Sequence, residues 1–207
     1  MLDRKRTPAR TRDTRLLPGE AADIALGVGL ATAKDHRAVR TLGSLSEVGA
    51  WEVLFAVSAA TWAVGAARGD ARLAATGRHM LGAGLLASLT KTTLKRLVHR
   101  TRPNVLMEEN TYARGWLGPN DGPWQSFPSG HAAVSVAVAR AVARACPEAG
   151  GAVQAGAGLI VVAQVLRGAH YPADVAVGAL IGLAAEAAVN HVAGPVTDGP
   201  RPPAPSR

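Results

Sequence analysis

The chain has 207 residues, of which 48% are hydrophobic and only 4% aromatic, with a formal net charge of +8. This length suits one domain, and the single cysteine, Cys146, excludes an internal disulfide. Residues 1–15 hold six cations against two carboxylates. Such a run is typical of a solvated tail or of a segment that binds anionic lipid headgroups or nucleic acid. No apolar run of the secretory-signal type follows it directly.

The apolar runs predict a series of helices. Residues 20–33 predict a helix of roughly 21 Å, which is shorter than the roughly 30 Å hydrocarbon core and therefore favours an interfacial or partly inserted helix. Longer hydrophobic helices are expected over residues 44–67, 73–94, 131–146, 149–168 and 172–192. The helix over 73–94 becomes basic at its end and is expected to stop at Pro103, before a polar loop over 104–127 that is long enough to be functional.

These runs predict an all-α integral membrane helical bundle of about five hydrophobic helices with an amphipathic N-terminal helix. Ala and Gly supply much of the apolar content, as in tightly packed membrane helices. We expect a disordered basic tail over 1–18, a membrane-embedded domain over 19–193 and a disordered Pro-rich tail over 194–207. The mean hydropathy of +0.11 is low, so a soluble all-helical domain is the alternative.

The stretch 127–131 predicts an anion site at a helix start. Pro128 breaks what precedes it, Ser129 is a favourable N-cap, and Gly130 lets the backbone approach a ligand closely. His131 then opens an apolar helix, whose free N–H groups and dipole attract an anion. The histidine places a proton donor beside that anion. The alternative is an ordinary Ser-capped helix whose histidine faces solvent.

Two further clusters complete the candidate chemistry. Lys95 and Arg102 lie seven residues apart, about two helical turns, and are expected on one face where they could hold a phosphate. Lys91, Arg96 and Arg100 are interpreted instead as a basic patch that contacts lipid headgroups.

The third cluster is His170 with Asp174 four residues later. A carboxylate at that spacing can accept the imidazole Nδ1–H, which leaves Nε2 free as a nucleophile or base. The same spacing could hold a metal together with His131, or could belong to a satisfied interface histidine. Successive antiparallel helices would bring all three clusters to one side of the bilayer, and this favours a shared site.

Together these motifs resemble the type 2 phosphatidic acid phosphatase superfamily, which is related to vanadium haloperoxidases and bacterial non-specific acid phosphatases. The family signature is K-x6-R-P, then P-S-G-H, then S-R-x5-H-x3-D. The matching positions, in the right order, are Lys95 to Pro103, Pro128 to His131, and His170 with Asp174. The resemblance spans about residues 44–192.

The resemblance implies a mechanism. His170 would attack phosphorus to form a phosphohistidine, Asp174 would orient it, and His131 would protonate the leaving oxygen and then activate water. The phosphoryl oxygens would be held by Lys95, Arg102, Ser129 and the N–H of Gly130. No metal and no other cofactor is expected.

One departure from the signature concerns its Ser-Arg pair, which falls on Ala163 and Gln164. Gln164 can donate a hydrogen bond but has no charge. Arg167 lies three residues later, about 60° round the same helix, and we hypothesise that it supplies the missing cation.

The function predicted is hydrolysis of a lipid phosphate monoester or diphosphate, such as undecaprenyl diphosphate, phosphatidylglycerol phosphate or phosphatidate. The expected partners are the lipid substrate and membrane lipids, without nucleic acid, and the oligomeric state is left open. The expected location is the cell membrane, multi-pass, with an extracytoplasmic site. The alternatives are a catalytically weak or inactive lipid-phosphate-binding membrane protein and a soluble acid phosphatase.

Overall fold

The computed structural model describes residues 16–118 and 121–194, so most of the two predicted tails lies outside the described residues. Within those ranges the chain forms eight α-helices and one two-stranded antiparallel sheet. The elements are α1 (Glu20–Ala31), α2 (Arg37–Leu45), α3 (Trp51–Arg68), α4 (Ala71–Leu97), β1 (Val98–Arg100), α5 (Pro103–Glu109), β2 (Arg114–Trp116), α6 (Gly130–Ala145), α7 (Pro147–Leu166) and α8 (Pro172–Ala193). The protein is therefore mostly helical, as predicted.

Two of the described helices, α7 and α8, are long and apolar enough to cross a membrane. The segment 37–49 and α3 form a bent pair, with an angle of 47°, that would make a third span if it acts as one. The predicted number of about five hydrophobic helices is not confirmed. α6 has only 16 residues, and α4 carries basic residues at both ends.

Helix α6 forms the centre of the bundle and packs against α4, α7 and α8. Its inward positions are small and fully buried, which lets the neighbouring backbones approach closely. Glycines on α8 bring this helix close to α6: a Cβ at Gly178 would lie 2.5 Å from the Ser129 carbonyl oxygen, and one at Gly182 would lie 2.4 Å from that of Ala133. This contact fixes the start of α6 beside the start of α8.

The predicted helix over 44–67 is broken. Ala50 is extended, and α3 begins only at Trp51, after a 3₁₀ turn over Ser46–Gly49. The break coincides with a tight contact, because a Cβ at Gly49 would lie 2.7 Å from both the Ile160 and the Ser135 side chains. The prediction of one continuous helix was wrong here. The break exposes the face of the 3₁₀ turn that carries Glu47.

The predicted continuation of α4 to Pro103 was also wrong. The helix ends at Leu97, and Val98–Arg100 pairs antiparallel with β2. Thr101 extends this pairing through hydrogen bonds with Ala113. Pro103 then begins α5 rather than ending α4, since proline is well tolerated at a first helical position. Lys95 and Arg102 are consequently not on one helix face.

Helix α1 lies across one end of the bundle. A Cβ at Gly27 would lie 2.6 Å from the Tyr171 ring, and Ala31 packs near Gly168, so the helix stays against the α7–α8 connection. Its charged residues Glu20 and Asp23 face the protein, whereas its leucines are exposed. The helix thus presents charge inward and hydrocarbon outward, as suits a position in the membrane interface.

Candidate active site

A cavity of about 300 Å³ lies at the end of the bundle where α4 ends and α6 and α8 begin. Its lining combines two histidines, three cations and two carboxylates with a helix start. The lining residues are Glu47, Ala50, Trp51, Glu52, Lys91, Lys95, Arg102, Gly130, His131 and His170. The structure therefore brings together the three clusters that the sequence places far apart.

The tautomer of His170 is fixed by the main chain. Its Nδ1 lies 2.6 Å from the carbonyl oxygen of Ser126. A carbonyl oxygen only accepts, so Nδ1 carries the proton and Nε2 keeps its lone pair. Burial, with smaller effects from the charges of Lys95 and Arg102, holds the pKa of His170 well below its usual value. The ring is therefore neutral near pH 7 and can act as a nucleophile.

Asp174 does not make the contact predicted for it. Its Oδ2 lies 4.0 Å from Nδ1 of His170, beyond hydrogen-bond distance. The fully buried carboxylate instead accepts from the Ser126 hydroxyl at 2.5 Å and from the Tyr171 N–H at 2.9 Å, while Arg100 lies 2.8 Å away. Asp174 thus holds Ser126, and the Ser126 carbonyl in turn accepts from His170. The carboxylate therefore orients the imidazole indirectly, whereas the sequence predicts a direct hydrogen bond.

Arg100 is the main residue that sequence reasoning placed wrongly. It was interpreted as part of a headgroup patch, but the structure buries it between Asp174 and Asp23, each 2.8 Å from a guanidinium nitrogen. Its Nε donates to the Tyr112 hydroxyl at 3.0 Å, and its guanidinium lies over the Tyr171 ring. No local pattern in the sequence marks this arginine, because its carboxylate partners come from α1 and α8.

His131 occupies the first turn of α6 and faces Glu47. Its Nε2 lies 3.6 Å from one Glu47 carboxylate oxygen, while the other oxygen pairs with Arg167. In the structure this carboxylate links the acid–base candidate to the arginine that follows α7.

Three cations face the cavity. Lys95 donates to the Gln125 carbonyl at 2.7 Å, and Nε of Arg102 has no hydrogen-bond partner among the described residues. Burial, and the nearby charge of Arg167, lower the pKa of Arg102. Lys91, which was assigned to a headgroup patch, also lines the cavity. Cations that face an open cavity are well placed to receive an anion.

Three predicted phosphate ligands lie outside this lining. The Ser129 hydroxyl caps α6 by accepting from the Ala132 N–H, as its N-cap position predicts. Gln164 is buried and donates to the Ser46 hydroxyl at 3.1 Å, so its side chain is directed away from the cavity. Arg167 lines a neighbouring cavity and pairs with Glu47, which lines both cavities. The backbone at Gly130 does face the cavity.

No group of three or more His, Cys, Asp or Glu side chains that could hold a metal ion occurs within residues 16–118 and 121–194. The three cations that line the cavity outnumber its two carboxylates, and this charge balance favours an anionic ligand.

Comparison with known proteins places this site in a family. A solved structure similar to this chain is the crystal structure of Aquifex aeolicus LpxE, with 22% sequence identity and a TM-score of 0.66, covering 86% of this chain and 99% of that one. No curated protein matches the chain significantly. The family model described as the PAP2 superfamily matches residues 76–203, which is more than half of the chain. The chain therefore belongs to the PAP2 superfamily, as the spaced motifs around Lys95, His131 and His170 predicted.

Proposed function

We propose that this protein hydrolyses a lipid phosphate monoester or diphosphate through a phosphohistidine on His170. The observation that carries the proposal is the neutral imidazole of His170, with its Nε2 lone pair free, in a cavity lined by three cations and a second histidine. Lys91, Lys95 and Arg102 would hold the phosphoryl oxygens together with the N–H groups at the start of α6. Family membership supports a phosphatase.

The proposed reaction has two steps. Nε2 of His170 forms a bond to phosphorus as the ester oxygen leaves, and protonated His131 gives that oxygen its proton. Neutral His131 then takes a proton from a water whose oxygen attacks phosphorus, the P–N bond breaks, and inorganic phosphate and neutral His170 are released. Asp174 and Arg100 support this sequence by holding the Ser126 segment in place.

Phosphate release by the purified protein tests the proposal. His170→Ala is expected to lower release from lipid phosphates by at least about a thousandfold, since the proposed nucleophile is removed. His191→Ala, an exposed histidine near the end of α8, is the matched control and should retain activity. An acid-labile phosphate label on the wild-type protein, absent from His170→Ala, would identify the intermediate. Unchanged release by His170→Ala would contradict the proposal.

A catalytically weak lipid-phosphate-binding protein is the second candidate. The observation that favours it is the side chain of Gln164, which stands where the family signature has arginine and is engaged by Ser46. Binding of lipid phosphate without turnover by the wild-type protein would select this candidate.

We propose a multi-pass membrane location, which the long apolar helices α7 and α8 support. The positive-inside tendency does not select a side for the cavity, because Arg68, Arg72 and Arg78 lie at the opposite end while Lys34, Arg40 and Arg96 lie at the cavity end. The side expected for the cavity is the extracytoplasmic one. Impermeant thiol reagents test it: exposed Cys146 marks the opposite end, and Thr111→Cys in a Cys146→Ser background marks the cavity end.

A further inference from the structure

A second cavity, of about 280 Å³, adjoins the first. It lies between α2 and the residues that follow α7, and its lining has three cations against one carboxylate. The lining residues are Lys34, Val39, Arg40, Gly43, Ser44, Glu47 and Arg167. This charge balance suits a small anion.

Two of the three cations of this second cavity, Arg40 and Lys34, are weakly engaged, whereas Arg167 pairs with Glu47. Arg40 is exposed, and within the described part of the chain no carboxylate pairs with it. Lys34 pairs at 2.7 Å with Glu108, whose side chain is 63% exposed, so water and salt weaken this pair. A bound anion could therefore replace Glu108 as the partner of Lys34 with little loss of free energy.

Glu47 lines both cavities and lies between them. One of its carboxylate oxygens pairs with Arg167 on the side of the second cavity, and the other lies 3.6 Å from His131 Nε2 in the catalytic cavity. Two anions bound in the two cavities would therefore stand on opposite sides of one carboxylate. Adjacent phosphates of a diphosphate share a bridging oxygen and cannot straddle it, whereas phosphates joined through a short carbon spacer can.

We infer that the cavity of Lys34, Arg40 and Arg167 is a second anion site, and that the substrate is a lipid whose headgroup carries a second phosphate separated from the scissile one by a short spacer. This inference rests on the proposed function for the identity of the scissile group. The second site binds the phosphate that is not hydrolysed and thereby orients the one that is.

The test compares three lipids in neutral detergent: phosphatidylglycerol phosphate, with separated phosphates; undecaprenyl diphosphate, with adjacent ones; and phosphatidate, with one. The wild-type protein is expected to favour the first. Arg40→Gln is expected to lower the ratio of kcat/KM for phosphatidylglycerol phosphate over phosphatidate about tenfold, since one charge-assisted contact is lost. Arg37→Gln, exposed on the same helix but outside the cavity lining, is the control and should leave that ratio unchanged.

Equal losses on both lipids, or no loss, in Arg40→Gln would overturn the inference while leaving the phosphatase proposal intact. Stimulation of phosphatidate hydrolysis by added anionic lipid, abolished in Arg40→Gln, would assign the site to a neighbouring headgroup and likewise overturn it. If the wild-type protein releases phosphate from none of the lipids, the proposed function fails. Calorimetric titration with propane-1,3-diyl bisphosphate against propyl phosphate then decides the inference, which requires weaker binding of the bisphosphate alone in Arg40→Gln.

Discussion

The two ends of the helical bundle both bury ion pairs, Arg100 with Asp174 at the cavity end and Arg144 with Glu186 at the other, but the cavity end also holds cations that face open space. At the end away from the cavity, buried Glu186 contacts His79 at 3.1 Å and Arg144 at 2.5 Å, and these three residues join α4, α6 and α8. At the other end, Lys95 and Arg102 face open space. Along α8 the two clusters are about 18 Å apart, from Asp174 to Glu186. Charges paired with one another stabilise a fold, whereas charges turned to a cavity are available for a ligand.

The largest effect is expected from removing a cation at the cavity end. Lys95→Ala should lower kcat/KM for a lipid phosphate by about 10²–10³, because one cation that contacts the phosphoryl group is lost. The melting temperature should hold or rise, since Lys95 and Arg102 repel each other. Steady-state kinetics and thermal unfolding in the same detergent measure both quantities.

Arg96→Ala is the control for that experiment, because Arg96 is the next residue and is exposed. It should change kcat/KM less than about twofold. Equal losses in the two variants would show that α4 contributes only general positive charge.

Glu186→Gln tests the opposite end. Removing one partner of a buried ion pair costs about 3–5 kcal/mol, and we expect about 3 kcal/mol because Arg144 keeps partial access to solvent. The activity of the folded fraction should be unchanged. Thermal unfolding measures the loss, with Glu148→Gln, an exposed carboxylate at the start of α7, as the neutral control. A loss of kcat/KM at unchanged stability would contradict the assignment of this cluster to the fold.

Gly182→Ala tests the close packing of α8 against α6, two helices that extend from the cavity end of the bundle to the other end. A methyl group there would meet the Ala133 carbonyl oxygen at 2.4 Å, so we expect destabilisation of about 1–3 kcal/mol and a parallel loss of activity as α6 and α8 separate. In Gly158→Ala the methyl group meets nothing within 4 Å, and this variant should be as stable as the wild type or more so. Equal melting temperatures for the two variants would contradict this prediction, because they would show that the close contact between α6 and α8 does not contribute to stability.

The smallest effect concerns pH. Protonation of His170 removes its lone pair, and its pKa lies well below 6.5, so kcat/KM should fall on an acid limb below that value. The mechanism also needs protonated His131, whose pKa burial lowers, so kcat/KM should fall again on an alkaline limb as His131 loses its proton. The charge of Arg102 helps to lower the pKa of His170, so in Arg102→Ala the acid limb should move up toward 6.5. A pH–rate profile from about pH 4 to pH 8 measures both limbs. An acid limb that stays in place in Arg102→Ala would mean that the charge does not act on His170.

The sequence predicts the parts of the site that depend on local spacing. Ser129 caps α6 because serine suits that position, and His131 follows on the first turn. The convergence of three distant motifs follows from antiparallel helices of similar length, which bring alternate helix ends to one side. PAP2 membership was likewise evident from the order and spacing of the motifs.

The sequence does not predict the contacts that depend on long-range packing. Arg100 and Asp174 are 74 residues apart, and Arg167 and Glu47 are 120 apart, so no window along the chain links them. The end of α4 at Leu97 was missed for the same reason. Its cause is the pairing of β1 with a strand that begins at Arg114, which lies within a stretch predicted to be loop.

The Nδ1 proton of His170 is accepted by the main-chain carbonyl of residue 126, and this affects which substitutions the protein can tolerate there. Because the acceptor at position 126 is a peptide oxygen, every amino acid at that position supplies it. Ser126→Ala removes a hydroxyl from Asp174 yet keeps the imidazole in the same protonation form. A substitution at residue 126 therefore leaves the tautomer of His170 unchanged as long as the loop that carries this carbonyl keeps its position.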